Sequence, residues 1–587
     1  MQNLCRLQNF KWLIPAFMTA LATWALPFVN FPFDADFIKN PDASVRLERI
    51  KQLIDGQAWY DLSLLRISTP DGQVLHWTRP LDILVGIGAW PLSTVMPSHE
   101  AVLVAAIGLS LCSVLLSVFL VYWIMVNCFR VQPWAGGLAA LSFITMADMV
   151  SIFAPSSGPD HHALLLLLFL TSFGICMNGA IGKGRGYGLG VVFAIALWVS
   201  PESFMALTAL YGGLVALWIK GGQETRLSEF GIRSAVSLIL TILFALLIEF
   251  GTLWPNMALD RLSGFTVLSS VLILAFWAVL RWCPQSFLGS WIRRLLWVVL
   301  FAILAFAIIF KSVPHIMGGP MANANPWFIN VWGNVFGDGF RLSVWDGRAI
   351  ICAALAVLWG FKRHPYSYVV TPILVVSLIL SKIDSTRWII YGETVAWFVL
   401  VYAYSTLWPK LKDLGDGAKG VFMRAVSVTT MCVLPMMLGI MARTSSDELP
   451  RPSIAGEGAE ITACNVEDIL PTLKAFPKTR ILAHPNITPT LLFSTKHDVM
   501  AVPIHPNGPA VHDSVRVLTA INDKKAFDII MQYDVGLVVF CPSGDEQIFY
   551  GRDKNGLYAR TLRDHGPDWL LPLGAKQSGY KVYAVKK

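Results

Sequence analysis

The sequence predicts an α-helical polytopic membrane protein with a small C-terminal α/β domain outside the bilayer. Three observations carry this. Of 587 residues, 55% are hydrophobic and only 14% charged, where soluble proteins carry roughly 25% charged residues. The charge is uneven: residues 444–587 hold 16 basic and 16 acidic residues, whereas the first 443 hold 30 and 22. Apolar runs of bilayer-spanning length recur through that first part. An ordinary cytosolic enzyme and a disordered chain are both excluded. The formal +8 sits wholly in the apolar part, so it concerns membrane topology, and no nucleic-acid partner is expected.

Spans are expected near 12–31, 101–127, 134–153, 162–181, 187–200, 203–219, 231–251, 264–280, 294–310, 348–361, 367–382, 388–406 and 420–441, about thirteen in all. The pair around Pro201 also reads as one broken helix. With a cytoplasmic N-terminus, the inside loops carry Arg130, Lys183, Arg185, Lys220, Arg226, Arg233, Arg281, Arg293, Arg294, Lys362, Arg363, Lys410, Lys412 and Lys419. That basic bias is what the positive-inside rule demands. An odd span count puts the C-terminus outside. The first apolar segment lacks a small-residue cleavage site and reads as a membrane anchor.

Two domains follow: a transmembrane module over 1–443, with large outer loops at 32–99 and 311–347, and an outer α/β domain over 444–587. In the latter, short apolar runs (479–482, 491–493, 499–502, 536–540, 581–585) alternate with helical stretches (466–475, 513–520, 524–532), a pattern that predicts a small α/β fold. Its two cysteines, Cys464 and Cys541, suggest one disulfide in an oxidising compartment; two buried thiols are the other reading. The seven remaining cysteines lie in or beside spans and read as small buried hydrophobes.

Polar residues at span ends are costly and are functional candidates by default. The foremost cluster is Ser156-Ser157-Gly158-Pro159-Asp160-His161-His162, in a short outer turn. Asp160 and His162 head the next helix, where a carboxylate and an imidazole can share a divalent cation. Asp160 is also a natural helix cap, but a cap does not account for two histidines before an all-apolar run. Asp42, after Asn40-Pro41, heads a helix predicted over 44–54, with Val45, Leu47, Ile50, Leu53 and Ile54 on its apolar face. A second cap is the alternative, and Asp34 and Asp36 could be the ligands instead. Arg387, at the outer end of the span over 388–406, can clamp a phosphate, or snorkel beside Trp388, or pair with Asp384. Glu202 and Glu393 read as buried carboxyls without assigned chemistry. No phosphate-binding loop, dinucleotide fingerprint, zinc-finger spacing or nucleophile elbow is present.

In this order the chain resembles the single-subunit oligosaccharyltransferases of archaea and bacteria, and through them the GT-C membrane glycosyltransferases. Asp42 with Arg46, then Leu53-Ile54-Asp55-Gly56-Gln57-Ala58-Trp59-Tyr60-Asp61, then Thr69–Asp82 with His76, Trp77 and Arg79, look like the segments following the family's first acidic motif. Asp160-His161-His162 is similar to its second, and Arg387 falls where the family keeps an arginine for the lipid-linked phosphate. Gly318–Trp327 occupies the place of the flexible fifth outer loop. The resemblance spans roughly residues 10–440. Two features depart from it. The outer domain lacks the Trp-Trp-Asp-Tyr-Gly signature, of which Tyr533-Asp534-Val535-Gly536 is only an echo. The fifth-loop glutamate motif is not evident, leaving Asp338 or Asp346 as substitutes.

The resemblance implies a GT-C fold and a bacterial inner-membrane enzyme that moves a sugar or oligosaccharide from a polyprenyl-(di)phosphate donor, with inversion, on the periplasmic side. It implies Mg²⁺ or Mn²⁺ on Asp42, Asp160 and His162, with Asp42 and Asp160 catalytic and Arg387 on the donor phosphate. Arg46, His76, Arg79 and His161 are then donor or acceptor contacts. The acceptor, a glycan, a lipid or a protein, is left open, and membrane lipids surround the whole. The competing readings are a transporter or flippase, which predicts charges at the bilayer midplane and matching halves, and a non-catalytic assembly protein of a cell-envelope pathway, which needs neither metal nor Arg387.

Overall fold

The structure is a computed structural model; it describes residues 11–30, 38, 40–68, 72–158, 160–180, 184–221, 225–253, 256–321, 324–332, 344–360, 365–383, 388–413, 415, 417–431, 464–542, 544–573 and 579–587. Asp34, Asp36, Asp338, Asp384 and Arg387 lie outside the described residues, as does the side chain of Asp346.

The membrane bundle opens with α1 (Ile14–Asn30), followed by α2 (Pro41–Ile54), a two-stranded ribbon of β1 (Ser63–Leu64) and β2 (Gln73–Val74), and α3 (Pro80–Leu92). Next come α4 (Ser98–Asn127), α5 (Pro133–Thr145), α6 (Ala147–Ile152), α7 (His161–Ala180), α8 (Tyr187–Val199), α9 (Ser203–Gly221), α10 (Thr225–Phe250) and α11 (Gly264–Trp282). Then follow α12 (Trp291–Ser312), α13 (Val344–Gly360), α14 (Pro365–Ile383), α15 (Ile389–Lys412) and α16 (418–431). Among the described residues, six helices, within α4, α7, α9, α10, α11 and α12, are long and apolar enough to cross a membrane, and shorter apolar helices accompany them.

Two details differ from the sequence expectation. The span at 134–153 is broken into α5 and α6, because Met146 adopts an extended backbone. The pair around Pro201 is two helices, in keeping with the separate spans at 187–200 and 203–219, joined by a turn at Ser200–Glu202. The first outer loop contains an apolar helix, α3, that packs against α4; Pro80 starts it at a position where a missing N–H costs nothing. Elsewhere the bundle closes on small residues: a Cβ at Gly190 of α8 would sit 1.9 Å from the Ser234 carbonyl of α10. α12 has almost no buried side chain and turns Leu296, Leu300, Ile303 and Phe306 outward, as a lipid-facing helix does.

The C-terminal domain carries a five-stranded sheet with α17 (Thr488–Ser494), α18 (Gly508–Leu518) and α19 (Asp523–Gln532) around it. Its strands are β3 (Arg480–Leu482), β4 (Asp498–Val499), β5 (Val535–Phe540), β6 (Leu570–Leu573) and β7 (Lys581–Val585), in the order β4-β3-β5-β7-β6. β3 pairs in parallel with β4 and β5, and β7 runs antiparallel to β5 and β6. The apolar run 491–493 belongs to helix α17, not to a strand; Pro489 in its first turn pre-sets the helical φ. Cys464 and Cys541 are disulfide-bonded.

α2 lies between the bundle and this domain, and its three faces divide the work. Ala43, Leu47 and Ile50, spaced i, i+4, i+7, pack with Val85, Ala89, Val102 and Ala106 of α3 and α4. Val45, on another face, joins Leu64, Ile67, Leu492, Val499 and Val502. The third stripe is Asp42, Arg46 and Arg49, again i, i+4, i+7, and it faces the polar centre described next.

Candidate functional site

Asn40 caps α2. Its side-chain oxygen accepts the Asp42 N–H at 3.0 Å, and Pro41 follows as the first helical residue. Its amide nitrogen donates to an Asp160 oxygen at 3.1 Å. One side chain therefore ties the start of α2 to the turn before α7, joining the two acidic motifs 120 positions apart. The turn needs Gly158: its φ is +66°, and a Cβ there would meet the Ala43 side chain at 2.8 Å.

At the head of α7, Asp160 accepts the His162 N–H at 3.3 Å as a cap and lies 2.9 Å from His161 Nδ1. That short contact puts the ring proton on Nδ1. Arg46, buried at 2% exposure, stacks on Trp77 with its guanidinium 4.2 Å from the ring centre and reaches to 3.4 Å from the same Nδ1. Because that nitrogen is already donating to Asp160, the Arg46 approach is electrostatic. The far nitrogen of His161 faces Glu202 at 3.6 Å. Burial by itself would raise the Asp160 carboxyl, but His162, His161 and Arg46 outweigh it and hold it below the usual carboxylate range.

The ligand atoms of Asp160, His161 and His162 all lie within 4.8 Å of one another. Opposite ligands around a divalent cation stand about 4.2 Å apart, so one carboxylate and two imidazoles here fit a cation with little adjustment. This group differs from the expected one: His161 is in it and Asp42 is not. Next to it opens a small pocket lined by His162, Glu202, Ile152, Leu166, Trp388, Ile390 and Tyr391, so that polar and apolar side chains meet there.

Behind α2 lies a second, fully buried network. Arg49 pairs with Asp82 at 2.9 Å and donates to the Trp77 carbonyl at 2.6 Å. Arg79 pairs with the same Asp82 at 3.2 Å and donates to the carbonyls of Trp59 and Asp61. Glu249, at the end of α10, accepts the Arg79 backbone N–H at 3.0 Å and the Trp198 indole N–H at 2.8 Å. Burial pulls the Arg49 guanidinium down to about 10, and Asp82 opposes that pull. Arg79, expected as a substrate contact, is at 0% exposure and is used entirely within this scaffold. His76, expected in the same role, packs with its ring centre 4.0 Å from that of His505 of the C-terminal domain, the two rings tilted, and His505 in turn lies 3.3 Å from Asp260. Burial, then His505 and Arg46, push His76 well below the ordinary imidazole value.

Asp82, Arg49 and Glu249 were not singled out from sequence, and Glu202 was read there as a buried carboxyl without assigned chemistry. Glu202 was within reach: the topology that turns Asp160 outward turns the Pro201–Glu202 junction outward as well. The other three gain their partners only in the fold, Glu249 across 170 positions.

The fold, a helical bundle with α2 and α3 in its first large loop and a small α/β domain after it, is similar to that of solved membrane glycosyltransferases, the oligosaccharyltransferases among them. Among solved structures, the archaeal oligosaccharyltransferase AglB from Archaeoglobus fulgidus, complexed with an inhibitory peptide and a dolichol-phosphate, superposes with a TM-score of 0.65 at 15% identity, covering 91% of this chain and 69% of that one. The Archaeoglobus fulgidus oligosaccharyltransferase complexed with Zn and sulfate gives 0.64 at 14%, covering 90% and 67%. The mycobacterial arabinofuranosyltransferase AftD gives 0.51 at 11%, covering 98% of this chain and 42% of that one. No protein-family model matches the sequence, and no curated protein matches it.

Proposed function

We propose that this protein is a membrane glycosyltransferase that moves a sugar or oligosaccharide from a polyprenyl-(di)phosphate donor to an acceptor on the periplasmic face of the inner membrane, with inversion. One observation carries the reading: a cation-competent group, Asp160-His161-His162, stands where polar and apolar side chains meet, in a bundle whose fold is similar to that of membrane glycosyltransferases. A polyprenyl-linked sugar has a tail that partitions into the bilayer and a head that stays in water, and such a meeting of polar and apolar groups suits both. The neighbours that bind dolichol-phosphate and an inhibitory peptide, or that transfer arabinofuranose, support the donor class.

Asp160 and His162 would hold a divalent cation, with His161 completing the group and Asp42 close by. A nitrogen-rich set favours Mn²⁺ over Mg²⁺. When bound, the cation neutralises charge developing on the departing phosphate. The chain's own groups supply the rest. Arg387 is the proposed clamp on that phosphate. The Trp388–Tyr391 wall takes the first prenyl units and excludes water. Asp42 orients the acceptor nucleophile and takes its proton. The acceptor oxygen or nitrogen bonds to the anomeric carbon as the bond to the phosphate oxygen breaks, and the electron pair leaves with the phosphate. The leaving group is a good one, so no general acid is required.

The test is donor consumption by the purified protein in detergent. Asp42→Ala, Asp160→Ala and His162→Ala should each abolish transfer while leaving the folded membrane protein intact. Normal turnover by all three would sink the assignment.

A further inference from the structure

The C-terminal domain is joined to the first outer loop through backbone as well as side chains. β4 is the edge strand of the domain's sheet, and residues 66–68 extend it: Ile67 bridges Val499 in parallel, the Ser68 N–H donates to the Val499 carbonyl at 2.9 Å, and the Val499 N–H donates to the Arg66 carbonyl at 2.8 Å. An open sheet edge is thereby covered by the same chain. The Arg66 side chain then crosses the junction. One arm donates to Glu48 of α2 at 2.7 Å; the other donates to the Thr495 carbonyl of the domain at 2.6 Å. Glu48 is 1% exposed, and a charge-assisted bond in such a setting holds position firmly.

Glu48 lies on the face of α2 turned away from the Asp42–Arg46–Arg49 stripe. Fixing Glu48 therefore fixes the rotation of α2 about its axis, and with it where Asp42 and Arg46 point. Anchoring α2 one residue earlier or later along its length would turn it by about 100° and remove both from the centre.

We propose that Arg66 is a positioning residue: through Glu48 it locks α2 to the C-terminal domain, making that domain a working part of the catalytic centre rather than an appendage. The consequence for turnover rests on the glycosyltransferase reading; the mechanical coupling does not.

Glu48→Gln tests this, because it removes the carboxylate charge, leaving Arg66 only a weaker neutral bond to α2, and keeps the Arg66 contacts with the domain in place. Hydrogen–deuterium exchange on the intact protein in detergent should show α2 amides exchanging at least tenfold faster, with β3 and β5 protected as in wild type. Mn²⁺ affinity per folded molecule, measured by electron paramagnetic resonance, should fall about tenfold, and kcat for donor consumption should fall with KM unchanged. Arg66→Lys, which keeps the ion pair with Glu48, should retain most of the α2 protection. Should Glu48→Gln fold poorly, the comparison of Arg66→Lys with Arg66→Ala carries the same contrast. Wild-type α2 exchange in Glu48→Gln, or equal exchange in Arg66→Lys and Arg66→Ala, would overturn the coupling. If wild type itself consumes no donor, the transferase reading fails while the exchange result still decides the coupling.

Discussion

Asn40 offers a perturbation whose two effects separate. Its oxygen caps α2 and its nitrogen holds Asp160. Asn40→Ser keeps a good cap but is too short to reach Asp160; Asn40→Ala loses both. The lost bond is charge-assisted and partly buried, worth about 1.5–3 kcal/mol, which corresponds to roughly 10- to 100-fold in an equilibrium constant. Removing an outer partner of a metal ligand typically costs the same factor in metal affinity. Asn40→Ser should therefore lower Mn²⁺ affinity, read by electron paramagnetic resonance titration, by roughly 10- to 100-fold while keeping the stability that the cap contributes. Asn40→Ala should show the same affinity loss plus about 1 kcal/mol of destabilisation from the cap. If Asn40→Ser binds Mn²⁺ as tightly as wild type, the bridge between the two acidic motifs does not organise the site and the reasoning is wrong.

Three further outcomes are expected. Asp82→Ala leaves Arg49 and Arg79 buried without their shared carboxylate and should cost about 3–5 kcal/mol, seen as a large drop in the melting temperature in detergent; a drop worth less than ~1 kcal/mol would contradict the network's role. Reducing the Cys464–Cys541 disulfide, which closes a separation of 77 residues, should destabilise the C-terminal domain by roughly 4 kcal/mol, and unchanged urea unfolding under reductant would refute this. Burial holds His484 down to about 3: the unfolded chain takes up a proton below about 6.5 and the folded chain only near 3, so domain stability should fall by about 1.4 kcal/mol per pH unit between them. His484→Phe should flatten that fall, and an identical pH profile in the variant would exclude His484 as its source.

How much of this was readable in advance follows from where the partners lie. Asp42 after Asn40-Pro41, and Asp160-His161-His162 at a helix start, are local signals, because caps and turns are written within a few residues. The helices and the alternation of strand and helix in the C-terminal domain were legible for the same reason. Arg79 shows the limit: its charge is visible in sequence but its burial is not, since Asp82 is a neighbour while Glu249 and the carbonyl acceptors arrive only with the fold. The docking of residues 66–68 on Val499 joins segments more than 400 positions apart, and no local pattern marks it. The extent of α3 was hidden by the polar residues before it, which made the whole of 32–99 read as loop.

The account's central claim is tested most directly by metal-dependent cleavage of a polyprenyl-linked sugar by the purified protein, with and without EDTA, comparing wild type with Asp160→Ala. The account predicts consumption of the donor that requires both the cation and Asp160. Binding of the lipid-linked donor that is indifferent to EDTA, with no turnover across a panel of donors and acceptors, would contradict it and favour a carrier or an assembly factor.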